Sequence, residues 1–268
     1  MDLDGKTAFI TAGAGGIGRC VANRLSLRGA NIVIADMDAA AAAAAAADLP
    51  SAIGVGCDVR DDEQVAHARD AALERFGDVH LVMSHAGITV PGPLGDLPES
   101  EWTRILDLNV VGMVRVLRAF LPHLTARGSG HVVLTSSSLA LLSGHPLSPM
   151  AAPYIASKAA VIALAQTAAT ALAPHNIQVT LFAPDYTDTA FNRRPAGAAA
   201  PANPPAALMP YAKQTPEQAA DALMSGLDEG RFLASATPDH ERLLRLQAEA
   251  LLDPAAMTTA YASTAGGR

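Results

Sequence analysis

The chain predicts an α/β fold: a single-domain doubly wound parallel sheet with helices on both faces. Three observations predict it. Short apolar runs alternate with helix-period segments over most of the 268 residues, the pattern of a parallel sheet with crossover helices. The strand-like runs are apolar throughout, so both faces are buried. The first of them leads straight into a glycine-rich turn and a helix.

In order, Lys6–Thr11 reads as a strand, Ile17–Arg28 as a helix and Asn31–Ala35 as a second strand. Asp38 is a good N-cap for the alanine-rich helix that follows. Ile53–Asp58 is strand-like, and Asp61–Phe76 is helical behind aspartate caps. His80–Ser84 is a strand, Glu99–Leu124 gives one or two helices, and His131–Ser136 is a strand. Ala151–Ala173 is a long helix and Gln178–Phe182 a further strand. Residues 190–215 are rich in Ala, Pro and Gly, without a clear period, and are expected to form a substrate loop or lid inside the same domain. Thr215–Leu227 follows as a helix with Thr215 as N-cap and Pro216 at its first position. Arg231–Ala236 is a last strand and Glu241–Leu252 a last helix.

Composition excludes several classes. The net charge is −7, which argues against a nucleic-acid partner, because phosphate binding needs clustered Lys and Arg. Cys20 and Cys57 are the only cysteines and form no metal motif. The eight histidines show no ligand spacing, so no metal is expected. The first residues lack a signal pattern, and no long apolar run free of charge or proline stands out as a membrane span. A soluble cytoplasmic protein is the expectation.

Two motifs carry chemistry. Thr11–Arg19, TAGAGGIGR, lies between a strand and a helix. Read literally, Gly13, Gly15 and Gly18 fit G-x-G-x-x-G, where glycines let backbone approach a pyrophosphate at a helix N-terminus. Asp36 ends the next strand, and a carboxylate there accepts from ribose hydroxyls and repels a 2′-phosphate. No Arg or Lys lies beside Asp36 or within Ala14–Gly16, so NAD is expected over NADP. The second motif is YIASK. Tyr154 and Lys158 are four apart, on one face of a helix, where an ammonium can lower a phenol's pKa for proton transfer.

Together these residues resemble the short-chain dehydrogenase/reductase family, a group of Rossmann-fold enzymes, over roughly residues 3 to 190. In the family's T-G-x-x-x-G-x-G turn, Thr11, Gly16 and Gly18 match, Ala12 replaces the first Gly, and Gly13 is expected to absorb the tight turn. Asp58 and Val59 resemble an adenine-contacting pair. Ser84–Gly87, SHAG, stands where the family has N-N-A-G, so Ala86 and Gly87 match and His85 is a structural stand-in for Asn. Asn109 matches the active-site Asn. Ser137 falls on the catalytic Ser, with Ser138 as the slip-by-one alternative. Pro184 matches, Asp185 replaces a Gly and puts the local backbone shape in question, and Thr187 and Thr189 fall where the family contacts the cofactor.

The resemblance implies hydride transfer between NAD and a carbonyl or alcohol carbon. Tyr154 is the implied acid/base, Ser137 orients the substrate oxygen, Lys158 tunes Tyr154 and holds the nicotinamide ribose, and Asn109 completes a proton relay. Implied cofactor contacts are Gly13, Gly16, Ile17, Gly18, Asp36, Asp58, Val59, Ala86, Gly87, Tyr154, Lys158, Pro184, Thr187 and Thr189. Candidate pocket residues are mostly apolar, among them Leu141, Leu142, Leu147, Met150, Phe191, Leu208 and Met209, with Arg193 and Arg194 as possible anion holders. A hydrophobic secondary alcohol or ketone is the expected substrate, and a homo-tetramer or homo-dimer packed through the alanine-rich Tyr154 helix the expected assembly. The competing reading is a catalytically impaired NAD-binding sensor or scaffold, favoured by Ala12, His85 and Asp185.

Overall fold

The computed structural model describes residues 2–141, 148–189, 191, 213–237 and 240–252. The expected loop at 190–215 lies almost wholly outside them, as do Leu142, Leu147, Arg193, Arg194, Leu208 and Met209.

Seven strands form one parallel sheet: β1 (Thr7–Thr11), β2 (Asn31–Asp36), β3 (Ala52–Gly56), β4 (Leu81–Ser84), β5 (Gly130–Thr135), β6 (Ile177–Ala183) and β7 (Leu233–Ser235). Their order is β3-β2-β1-β4-β5-β6-β7. The order reverses between β1 and β4, and the crevice at such a reversal is where open α/β sheets bind ligands.

The helices are α1 (Gly16–Ser26), α2 (Ala39–Ala47), α3 (Asp62–Phe76), α4 (Glu99–Leu106), α5 (Gly112–Arg127), α6 (Ser138–Leu141), α7 (Ala152–Leu172), α8 (Pro216–Asp228) and α9 (His240–Ala250). Alternating side chains sort the core into two layers, as the strand pleat requires. Phe9, Val33 and Val132 pack with Val65, Phe120 and Val161 of α3, α5 and α7. Ile10, Ile32 and Ile34 pack with Val21, Leu25 and Leu223 of α1 and α8. Helix α7 is long and apolar enough, with the turn that follows it to His175, to cross a bilayer by composition. Here its Val161, Ala165 and Leu172 are core residues of the sheet's first layer.

Local chemistry sets the helix ends as the sequence suggested. Asp38 accepts from the Ala41 amide at 2.9 Å, and Thr215 forms a reciprocal capping box with Gln218 ahead of Pro216. The Glu99–Leu124 stretch is α4 and α5 joined by a π-helical turn, Asp107–Val111. An unexpected short helix, α6, begins directly after Ser137.

Helix α2 is nine consecutive alanines. Alanine is the best helix former, and a side chain of one methyl lets the helix lie close on β2 and β3. The approach is so close that a methyl at Gly54 would overlap the Ala42 carbonyl. Gly54→Ala is therefore expected to destabilise by about 2 kcal/mol or more, a fall in Tm of roughly 5 °C, with the rate per folded molecule intact. An unchanged melting curve would mean that α2 can ride outward without penalty.

Candidate active site

The dinucleotide end is built from the β1–α1 turn. Gly15 caps α1 with no side-chain hydrogen bond, and no acidic residue occupies the first turn. The free amides and the dipole at that end suit an anion. Gly16 has φ +52, and an added methyl would press on Thr189 at 3.2 Å. Gly18 has no room for one, because it would run into the Ala12 carbonyl. Ile17 is buried behind them. These absent side chains leave the cradle that a pyrophosphate needs.

One expectation at this turn is corrected. Ala12 itself takes the left-handed conformation, φ 52, and Gly13 does not absorb the turn. Gly13 instead supplies closeness, since a methyl there would sit 3.2 Å from the Ile10 carbonyl and from the Ile34 side chain. Ala12 thus carries strain that the family's glycine would avoid.

Asp36 ends β2 beside this turn. Its carboxylate accepts from the amides of Ala14 and Asp38, each at 3.2 Å. Asp58 is held by Arg60 at 2.5 Å, and that hydrogen-bonded guanidinium keeps its carboxyl below the usual range. Val59 is buried against Gly112, where an added methyl would meet it at 2.8 Å.

The Thr11 hydroxyl accepts from the amides of His85 and Ala86 at 2.8 and 3.0 Å, tying the end of β1 to the loop after β4. The His85 ring lies 3.1 Å from the Thr135 hydroxyl through Nδ1. Burial, with the Lys158 charge beside it, drives its pKa down to about 3. Next in the loop, a methyl at Gly87 would lie 3.2 Å from Lys158 Nζ and 3.4 Å from Asn109 Oδ1. The loop therefore meets Lys158 and Asn109 at a residue without a side chain.

Three of the four catalytic candidates converge at the C-terminal end of β5. Ser137 Oγ is hydrogen-bonded with Tyr154 and accepts from the Leu139 amide at 3.3 Å. Ser138 turns away and donates to Asp185 Oδ1 at 2.9 Å, so geometry distinguishes the two serines. Lys158 is 3% exposed, donates to the Thr135 carbonyl at 2.8 Å, and lies 5.9 Å from the Tyr154 ring centre. Ser136 closes the group by donating to the Lys158 carbonyl at 2.8 Å.

The electrostatics differ from the expectation. Burial raises the Tyr154 pKa, and the Ser137 hydrogen bond opposes the rise. Burial also lowers the pKa of Lys158 itself, to about 7, and its Nζ donates to the Thr135 carbonyl. The four-residue spacing predicts proximity, and the net shift of the phenol follows its burial.

Asn109 sits at the centre of the π turn and is fully buried. Its amide nitrogen donates to the Ile88 carbonyl and Ser157 Oγ, both at 2.9 Å, and its oxygen accepts from the Ile88 amide at 2.8 Å. The side chain is thereby committed to holding the β4 loop against α7.

On the far side of the crevice, Pro184 accepts from the Ser138 amide at 3.0 Å. Thr187 is buried and donates to the Asp185 carbonyl at 2.7 Å. Asp185 does not take a positive φ; the replacement of glycine changes the side chain and not the backbone region. Phe191 stands 6.0 Å from Tyr154, ring centre to ring centre, and is 41% exposed, an apolar wall beside the phenol. The Gly92 amide donates to the Met150 carbonyl at 2.9 Å, tying the loop after β4 to the turn before α7. Leu141 is no pocket residue: it packs on Ala183, Leu244 and Leu246.

Sequence reasoning missed Thr135, whose carbonyl anchors Lys158, and Thr237, which meets Asp185. Thr135 was reachable as the head of TSSS. Nothing local marks Thr237.

The profile of the short chain dehydrogenase family matches residues 6–197. Galactitol 2-dehydrogenase of Agrobacterium fabrum is 35% identical over 189 residues, 70% of this chain and 73% of that protein. Cis-4-hydroxycyclohexanecarboxylate dehydrogenase of Sinomonas cyclohexanicum is 34% identical over 188 residues, 69% of this chain and 74% of that one. Among solved structures, a short chain dehydrogenase/reductase from Burkholderia phymatum in complex with NAD superposes with a TM-score of 0.81 at 30% identity, covering 94% of this chain and 96% of its own. With the uncapped glycine turn, the Ser137–Tyr154 pair and Lys158 in place, the chain belongs to the short-chain dehydrogenase/reductase family and is an oxidoreductase of that family.

Proposed function

We propose that this chain transfers hydride between NAD and a neutral, hydrophobic secondary alcohol or ketone, with Tyr154 as acid/base. The observation that carries the reading is the Ser137–Tyr154 hydrogen bond beside buried Lys158, at the same end of the parallel sheet as the β1–α1 turn. A nicotinamide dinucleotide bound in that cradle supplies the hydride acceptor or donor. In oxidation, Tyr154 takes the hydroxyl proton of the substrate as its carbinol carbon loses hydride. Ser137 donates to the same oxygen and holds it in line. Lys158 holds the ribose side of the site and takes the proton back from Tyr154 after each oxidation. Asn109, its side chain spent on structure, contributes to the relay through the backbone of the π turn.

The choice of NAD rests on charge. Asp36 at the end of β2 would repel a 2′-phosphate, Arg19 is tied to Asp48 at 2.6 Å and Arg60 to Asp58. The related structure holding NAD, and a ketoacyl reductase from Brucella melitensis holding NADH at 25% identity and a TM-score of 0.76, support it. The choice of alcohol rests on apolar Phe191 beside the phenol and on the dehydrogenase relatives, whose names include galactitol and sorbitol as well as a hydroxycyclohexane acid. The assembly proposed is a homo-dimer or homo-tetramer. Ala156, Ala159 and Ala163 are exposed on α7, and α4 and the π turn that pack beside α7 carry exposed Leu106 and Val111, apolar surface for a second copy to cover. A monomer in sedimentation would refute that assembly.

The test is NADH absorbance with purified protein, NAD or NADP, and a panel of hydrophobic secondary alcohols, sugar alcohols and 2-hydroxy acids. The expected result is turnover of neutral alcohols with at least a tenfold preference in kcat/KM for NAD, about 1.4 kcal/mol. Turnover confined to the acids, or equal use of NADP, would overturn the substrate or cofactor assignment. NAD binding with no turnover would favour the sensor.

A further inference from the structure

We infer that Asp185, where the family pattern has glycine, is a positioning residue that fixes Ser137 by knotting the ends of three strands; the inference rests on the Ser137–Tyr154 reading of the site. Pairing between β5 and β6 runs to Thr135 and Phe182. It continues past the strand ends, with the Ser136 amide donating to Phe182 at 2.7 Å and the Ser138 amide to Pro184 at 3.0 Å. On the other edge, β6 pairs with β7 as far as Ala183 and Ser235. Two residues on from Ala183, the Asp185 carboxylate reaches both neighbours. Oδ1 accepts from Ser138 Oγ at 2.9 Å and from the Tyr186 amide at 2.8 Å, and Oδ2 accepts from Thr237 Oγ1 at 3.1 Å. The carbonyl of the same residue accepts from Thr187.

Ser137 sits between the two serines so held. It directly precedes α6, a helix of only four residues, too short to hold its own geometry. Ser136 is fixed by its amide and by its hydroxyl to α7, and Ser138 by its amide and by Asp185. Ser137 Oγ is left to face Tyr154. A glycine at 185 offers neither carboxylate contact. Thr237 and Ser138 are both buried, so losing their acceptor would leave two buried hydroxyls to find new partners and turn the serine segment with them.

The test measures kcat, KM and Tm for Asp185→Ala, Ser138→Ala, the double variant and Asp185→Asn, beside Tyr154→Phe. The expected result is a kcat loss of about tenfold or more in each single alanine variant, KM for the alcohol within about threefold, and a double variant no slower than the worse single. Asp185→Asn, which keeps an acceptor for Ser138 and Tyr186, should stay within about threefold of wild type. Where Asp185→Ala fails to fold, Ser138→Ala decides alone. Full rate in Ser138→Ala, multiplying losses in the double variant, or losses that only follow the folded fraction would overturn the positioning role. Full rate in Tyr154→Phe, or no turnover by the wild type on any alcohol, overturns the function reading and this inference with it. Loss in Tyr154→Phe with full rate in Asp185→Ala overturns the inference alone.

Discussion

Tyr154→Phe is expected to lower kcat/KM for alcohol oxidation about a thousandfold while leaving Tm and NAD binding nearly unchanged. General acid–base groups contribute about 10²–10⁴-fold, and this hydroxyl is placed to transfer the proton. The phenyl ring of the variant keeps the contact with Phe191, and Ser137 retains its bond from the Leu139 amide, so folding should suffer little. The pH profile gives a second reading with a definite sign. Oxidation needs the phenolate, and burial holds the Tyr154 pKa above its ordinary value. The oxidation rate should therefore climb with pH from neutral into the alkaline range, and that limb should vanish in the variant. A variant with near wild-type rate on the same alcohol would remove Tyr154 from the chemistry.

The order of elements was legible because each strand is a short apolar run and each helix carries its own start signal. Asp38 and Thr215 cap as their spacing suggests. The π turn was not legible, because residues 99–124 carry continuous helical periodicity, and a single inserted residue does not disturb the pattern enough to mark it. The left-handed residue of the first turn was misassigned for a related reason. Gly13 is the better residue for positive φ, yet the chain places Ala12 there because Gly13 is needed where Ile10 and Ile34 come close. Two demands compete for one glycine, and tertiary packing takes it.

At the site, Tyr154, Lys158 and Ser137 were legible from short motifs, since each motif sits on one element. What joins the elements was not. The choice between Ser137 and Ser138 turns on Asp185, 47 residues away, and Asp185 in turn engages Thr237, a further 52 residues on. The burial of Lys158 was also invisible. A lysine one turn below a tyrosine reads as a charge beside a phenol, but the direction of its Nζ is set by the Thr135 carbonyl at the end of a different strand.

Lys158→Met is expected to abolish most activity and to raise Tm at the same time. Lys158 is 3% exposed, and burial lowers its pKa to about 7, against about 10.4 in the unfolded chain. Between those values the unfolded chain holds a proton that the folded protein has released, so stability rises with pH through that window and the full penalty is carried below about 7. Methionine has nearly the same length, no charge and a side chain suited to an irregular apolar site. Its cost is the hydrogen bond to Thr135, about 1 kcal/mol. At about pH 6 the relief of a buried charge outweighs that cost, and the variant should melt higher than wild type by roughly 5 °C. At about pH 9 the wild-type lysine is largely neutral when folded, so the gap should narrow. Turnover should fall about a hundredfold or more at both pH values, because nothing then carries the accepted proton away from Tyr154. Differential melting at the two pH values checks this directly. A variant that melts lower at pH 6 as well, or a gap that ignores pH, would show that Lys158 is not a destabilising charge; the predicted pattern would show a residue retained for chemistry against the stability of the fold.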